Sequence, residues 1–160
     1  MTGDNVSAMA FCDVDGDGQL ELLVGSEDYE IRVFRNEEVR PETSLTLTLT
    51  RTLTLILTLT RTRTRTRTRT RTLTQVISET TETEMVVGLA AMRRATFAYA
   101  LANGTIGVYD QPGQRKWRVK SKHEATAIVG FDLDGDGQPE VISGWSNGKL
   151  EVRSHATGEP

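Results

Sequence analysis

The stretch Asp13-Val14-Asp15-Gly16-Asp17-Gly18-Gln19-Leu20-Glu21 returns almost letter for letter as Asp132-Leu133-Asp134-Gly135-Asp136-Gly137-Gln138-Pro139-Glu140. The two copies start 119 residues apart. Between them lies a 37-residue segment of a different composition, Val39 to Gln75, and setting it aside brings the spacing to 82, twice 41. A period of about 40 to 45 residues belongs to the four-stranded blades of β-propellers. A third unit is therefore expected midway, located by its strands although its aspartate loop has decayed.

Each unit holds an alternating strand after a tight turn: EIRVF at 30–34, TIGVYD at 105–110 and KLEVR at 149–153. Ile31 and Val33, Ile106 and Val108, and Leu150 and Val152 recur with a period of two, as one face of a strand requires. Asn103-Gly104 and Asn147-Gly148 precede the second and third of these strands, and Asn-Gly suits the positive φ angles of a two-residue hairpin. Earlier strands are expected at LELLVG (20–25), TFAYAL (96–101) and EVISGW (140–145), and before them at SAMAFCDV (7–14), MVVGLAAM (85–92) and ATAIVGFDL (125–133). Outer strands are expected at VISETTETE (76–84) and RKWRVKSK (115–122).

This pattern predicts an all-β fold, a partial β-propeller of about three blades of four-stranded antiparallel sheet. Residues 1–38 form the first blade, 39–75 a low-complexity insert, 76–122 the second blade and 123–160 a third, incomplete one. Three blades cannot close a ring, so a fragment of a larger propeller is expected, and the lack of linker-like sequence before Ser7 agrees.

From Leu45 to Thr74 the sequence is nearly a dipeptide repeat, mostly Leu-Thr and then Arg-Thr, with Ile56 the one departure from threonine in the alternate register. About 30 residues is several times an ordinary strand of 5 to 6. Arg61, Arg63, Arg65, Arg67, Arg69 and Arg71 would share one face with no acid beside them, so disorder is expected. Leu-Thr and Arg-Thr can be written CTCACA and CGCACA, as in a CA-rich microsatellite. Val39-Arg40 can be written GTGAGA, which begins like an intron donor, and Gln75 as CAG, which ends like an acceptor. Removing 39–75 joins Glu38 to Val76 in frame. A translated intron is the reading we carry forward, ahead of a solvated linker or an arm for anionic surfaces.

Composition narrows the function classes. With 160 residues, 37% hydrophobic and 26% charged, the chain suits one globular domain and leaves little room for a large enzyme. The formal charge of −3 conceals two unlike pieces: 39–75 holds eight of the 19 basic residues and one acid, Glu42, which leaves −10 elsewhere. That balance disfavours nucleic acid as a partner of the remaining surface. No apolar run approaches the roughly 18 residues of a membrane helix, and Met1 to Asn5 lacks signal-peptide features, so a soluble, cytoplasmic protein is expected. Cys12 is the single cysteine, which excludes an internal disulfide and a cysteine-based zinc cluster and fits a reducing compartment.

The candidate metal ligands are Asp13, Asp15, Asp17, Gln19 and Glu21 in the first loop, and Asp132, Asp134, Asp136, Gln138 and Glu140 in the second. Alternate carboxylates converge on a calcium ion when glycines let the loop curl, and the Gln19 and Gln138 backbone carbonyls add further oxygens. The pattern is a weaker signal for an EF-hand, because its twelfth position needs glutamate and holds Val24 or Ser143 here, and the flanks are strands. The competing reading is that the aspartates cap their own loop through side-chain to backbone hydrogen bonds.

Other chemistry is sparse. His123 and His155 have no cysteine or second histidine beside them and read as solvated residues, with no catalytic triad to propose. Trp117 and Trp145 sit in strand-like segments and read as packing aromatics; Cys12 reads as a small core residue. Arg115, Lys116, Arg118, Lys120 and Lys122 form either a charged edge that prevents aberrant strand pairing or a patch for a partner.

GSEDYEIRVF (25–34) and SGWSNGKLEVRS (143–154), with VISETTETE, YALANGTIGVYD and the aspartate loops, resemble the middle of the amino-terminal β-propeller of the Bardet-Biedl syndrome 2 family, subunits of the ciliary BBSome. The aspartate loops alone are shared with integrin-type repeats. In the family the Glu37-Glu38 pair runs directly into the strand before TETE, so the Arg-Thr tract departs from its pattern. The resemblance implies a noncatalytic scaffold in a coat-like complex that carries membrane proteins into and out of cilia. Its expected partners are other BBSome subunits, with indirect membrane association, no nucleic acid, no small-molecule substrate and no required cofactor. Its expected places are the cytoplasm, the cilium and ciliary membrane, and the basal body with its centriolar satellites. The alternative is a calcium-binding, integrin-type propeller module.

Overall fold

The computed structural model describes residues 4–36, 73–93 and 95–160. Eleven strands and no helix occur among them: β1 (Val6–Cys12), β2 (Glu21–Ser26), β3 (Glu30–Asn36), β4 (Leu73–Thr81), β5 (Val86–Ala91), β6 (Phe97–Leu101), β7 (Thr105–Gln111), β8 (Gln114–Lys120), β9 (Ala125–Phe131), β10 (Glu140–Trp145) and β11 (Leu150–Arg153). They form three antiparallel sheets in the orders β1-β2-β3-β4, β5-β6-β7-β8 and β9-β10-β11. Each sheet is a meander, so its contacts are mostly between strands adjacent in the chain.

The sheets stack face to face, with β1 against β5 and β5 against β9. The second sheet is therefore covered on both sides, and all five residues of β6 are buried. Its alternation separates two interfaces. Phe97, Tyr99 and Leu101 join Leu23, Ile31 and Val33 of the first sheet in one core, while Ala98 and Ala100 meet the third sheet's Val141, Ala125 and Trp145. Large side chains on one face and alanines on the other keep both neighbours within packing distance. At the first interface a Cβ on Gly25 would lie 2.5 Å from Val86 Cγ1, so glycine is what lets β2 approach β5.

The two outer sheets each bury one face only. On the first, Met9 (65% exposed) and Phe11 (63%) point away from the second sheet, and on the third Phe131 (59%) and Leu150 (73%) do so. A face built of such residues costs about 25 cal/mol for every Å² of apolar surface left in water.

Three expectations change. The unit boundary drawn at Val76 moves, because Leu73–Thr81 pairs with β3 and belongs to the first sheet, not the second. Leu73, Thr74 and Gln75, assigned to the insert, begin β4: the backbone of Arg35 and Asn36 offers partners to Gln75 and Leu73, and the alternating Leu-Thr pattern continues naturally into a strand. The other expectations for the insert, disorder and a translated intron over 39–72, fall outside the described residues. The third change concerns Asn103-Gly104 and Asn147-Gly148, which are not the central pair of two-residue turns. Gly104 N–H donates to Leu101 O at 3.1 Å and Gly148 N–H to Trp145 O at 2.9 Å, so each glycine closes a three-residue connection in the left-handed region, φ 78° and 81°. Asp28-Tyr29 makes the same turn in the first sheet, with Tyr29 at φ 69°.

Candidate functional site

The aspartate loops join the first two strands of the first and third sheets and fold identically. Asp13 accepts hydrogen bonds from Gly16 N–H at 2.8 Å and Gly18 N–H at 3.0 Å; Asp132 accepts from Gly135 and Gly137, both at 2.8 Å. Asp15 and Asp17 accept from Asp17 N–H and Gln19 N–H, and Asp134 and Asp136 from Asp136 N–H and Gln138 N–H. The acid at the ninth position closes each loop: Glu21 accepts Val14 N–H at 3.0 Å and Glu140 accepts Leu133 N–H at 2.8 Å. Gly16, Gly18, Gly135 and Gly137 all take positive φ. The loops thus satisfy their own backbone donors, the arrangement Asx-type capping demands.

The same curl leaves carboxylate oxygens of Asp13, Asp15 and Asp17 within 4.8 Å of one another, and likewise those of Asp132, Asp134 and Asp136. Those oxygens could hold a hard cation, since a carboxylate oxygen that accepts one hydrogen bond keeps a second lone pair. The two loops differ in their surroundings. Arg35 pairs with Asp15 and places Nε 3.5 Å from Glu21 Oε1, so a guanidinium already supplies positive charge to the first loop. Burial holds the Glu21 carboxyl above its ordinary range, with Asp17 and Asp13 adding to the effect. In the second loop Arg93 from the β5–β6 connection reaches the Gly137 carbonyl instead, and no basic side chain among the described residues pairs with its aspartates.

Two buried ionic networks brace the fold, one within the first sheet and one between the first and second sheets. Arg32, 8% exposed, bonds Asp28 at 2.8 Å, Ser26 at 3.0 Å and Glu79 at 3.2 Å, and also contacts Glu30. Glu82, in the connection between the first two sheets, accepts from Arg115 at 2.9 Å and from the Tyr109 hydroxyl. Arg115 also lies 5.5 Å from the centre of the Tyr109 ring. Neither network was visible in the sequence.

The remaining residues singled out fall as follows. Trp145 is buried and Trp117 packs beside it, donating its indole N–H to His155 O at 2.8 Å. His123 is exposed; His155 is half-buried, and burial with Lys116 nearby lowers its pKa. Cys12 is buried in the first core, and burial pushes its thiol up to about 11. Arg115 to Lys120 lie on β8, the outer strand of the second sheet.

Three meandering sheets stacked through their first strands, β1 on β5 and β5 on β9, define a partial β-propeller. Solved structures agree on the fold: BBS1N in complex with ARL6DN superposes at TM-score 0.61 with 14% identity, over 96% of this chain and 35% of that one. BamB from Moraxella catarrhalis gives 0.57 and 14%, over 98% and 37%. The chain belongs to the ciliary BBSome complex subunit 2 family, matching the model of its middle region over residues 8–63 and 62–153, two segments that meet inside the dipeptide repeat. It is 44% identical over 159 residues to the BBSome complex member BBS2 of Homo sapiens and 32% identical to bbs-2 of Caenorhabditis elegans, in each case over 99% of this chain. It spans 17% of the human protein's length and 16% of the nematode one's.

Proposed function

We propose that this chain is a noncatalytic interaction segment of a BBSome subunit, serving the movement of membrane proteins to and from the cilium through contacts with other subunits. The observation that carries the reading is family membership over nearly the whole chain, joined to the two outer sheet faces with Met9, Phe11, Phe131 and Leu150 in solvent. Such faces are what further blades and neighbouring subunits cover in a larger assembly. Two buried ionic groups serve the fold in keeping with a scaffold: Arg32 braces the first sheet from within, and Glu82 links it to the second. The relatives are BBSome complex members, which supports protein partners and a ciliary address, with the cytoplasm and basal body as places where the complex forms. No cofactor is needed for this role.

The test is replacement. A human subunit 2 carrying residues 1–38 joined to 76–160 of this chain in place of its own segment is expected to co-purify with the other subunits and restore ciliary membrane-protein content in cells lacking subunit 2. A folded chimaera that joins no complex would overturn the reading.

The converging carboxylates support a second reading, a calcium-dependent binding module built on the same loops.

A further inference from the structure

The second sheet ends in β8, which pairs with β7 on one side and with nothing among the described residues on the other. Its seven residues span about 23 Å at the usual rise per strand residue. Of the five basic side chains on and after it, Arg115 is committed to Glu82. Lys116, Arg118, Lys120 and Lys122 are all exposed, and none bonds to a carboxylate among the described residues. The other exposed strands differ. β11 neutralises itself, with Glu151 between Lys149 at 2.7 Å and Arg153 at 2.9 Å, and β4 presents the acid Glu79.

One or two lysines suffice to keep a sheet edge from pairing with another copy. Four unneutralised cations beside one free edge exceed that need, and they stand out on a surface that otherwise carries a net negative charge outside 39–75. A row of free backbone groups flanked by cations fits one kind of occupant: an extended chain that adds main-chain hydrogen bonds and brings its own acids. A long polyanion fits poorly, because it must also pass Asp110 and Asp136, which line the cleft beside Lys116.

We propose that the free edge of β8 docks an extended acidic segment of a partner protein, which joins the second sheet as a fifth strand, with Lys116, Arg118, Lys120 and Lys122 reading its carboxylates. The proposal stands on the edge and its charge, and it does not depend on which complex the chain joins.

The experiment titrates the 160-residue chain with a fluorescent decapeptide of alternating Glu and Val, following anisotropy. Binding is expected to weaken about tenfold in Arg118→Glu/Lys120→Glu, two exposed changes that leave the circular dichroism spectrum intact. It is expected to persist when Arg61, Arg63, Arg65, Arg67, Arg69 and Arg71 are replaced by Gln, and to vanish when alternate peptide nitrogens are methylated, since strand addition needs them. Equal binding of the methylated peptide would show charge attraction without strand addition and end the proposal. So would loss of binding in the insert variant alone, or tighter β8-dependent binding of a DNA oligonucleotide or phosphatidylserine vesicles. If the double variant unfolds, acetylation of surface lysines in the native chain supplies the same comparison.

Discussion

Glu82 and Arg115 pair at 2.9 Å between the first and second sheets, with the carboxylate wholly buried and the guanidinium 36% exposed. The Glu82 N–H also donates to Tyr29 O at 2.7 Å, so one residue fastens a turn of the first sheet to the outer strand of the second. Removing the carboxylate strands a buried hydroxyl and a partly buried cation. Glu82→Ala is expected to cost about 3 kcal/mol, because the loss of one partner from a buried pair leaves the other uncompensated. Glu82→Gln keeps an acceptor for Tyr109 and is expected to cost about half as much. Urea unfolding followed by tryptophan fluorescence measures both, and an alanine variant within about 0.5 kcal/mol of the parent would refute the account.

A second prediction separates the two aspartate loops. Arg35 supplies positive charge to Asp15 and the Glu21 side in the first, whereas no cation pairs with the aspartates of the second among the described residues. If calcium binds, it binds at Asp132, Asp134 and Asp136. Millimolar calcium is then expected to raise the thermal midpoint, with Asp134→Asn removing the rise and Asp15→Asn leaving it. Arg35→Gln should open the first loop to the ion as a second, separable increment. A midpoint indifferent to calcium and to chelator in all four proteins leaves the loops as self-capped corners.

The Asp28–Arg32 pair predicts an acid limb. Hydrogen bonding to Arg32, assisted by Ser26, holds the Asp28 carboxyl down to about 2. A carboxyl whose pKa is depressed by folding stabilises the native state above its unfolded pKa, near 3.9, and that stabilisation drains away as pH falls toward the folded value. Stability is therefore expected to decline between about pH 4 and pH 2 in the parent. Asp28→Asn should be less stable at neutral pH and should lack this residue's share of the decline. Chemical denaturation at pH 7, 4, 3 and 2 reads the difference, and parallel pH profiles for the two proteins would contradict it.

How far the sequence disclosed this molecule depends on the range of each signal. The strands were legible because their alternation is local: Ile31 and Val33, Ile106 and Val108 announce a face whatever they pack on. The loops were legible for the same reason, since aspartate and glycine at fixed offsets bond within nine residues. Glu82 was not, because VISETTETE reads only as an outer strand and the partners of Glu82, Tyr109 and Arg115, lie 27 and 33 residues away. The tight turn expected before EIRVF is present at Asp28-Tyr29, but no Asn-Gly marks it, because a tyrosine stands where the other two sheets place glycine. The boundary at Val76 failed because composition marks where the repeat stops, while pairing with Arg35 and Asn36 decides where the strand starts.

That pairing yields the last prediction. Phe34 and Val76 are Cα partners in the β3–β4 ladder, so their positions are already those of two residues flanking a hairpin. With 39–75 removed, Arg35, Asn36, Glu37 and Glu38 alone connect them, and four residues is an ordinary hairpin length. The ladder loses the Arg35–Gln75 and Asn36–Leu73 pairs but keeps those from Phe34 to Glu30. Against that loss, the connection between strand ends falls from the 36 residues between Asn36 and Leu73 to four, which by loop-closure entropy favours folding by about 2 kcal/mol. The shortened chain is expected to keep the parent's β-sheet circular dichroism and to unfold at an equal or higher temperature. Reverse-transcribed message lacking those 37 codons would show that cells make this form. A shortened protein that loses its sheet signal, or melts well below the parent, would mean that the segment belongs to the fold, and would count against reading it as a translated intron.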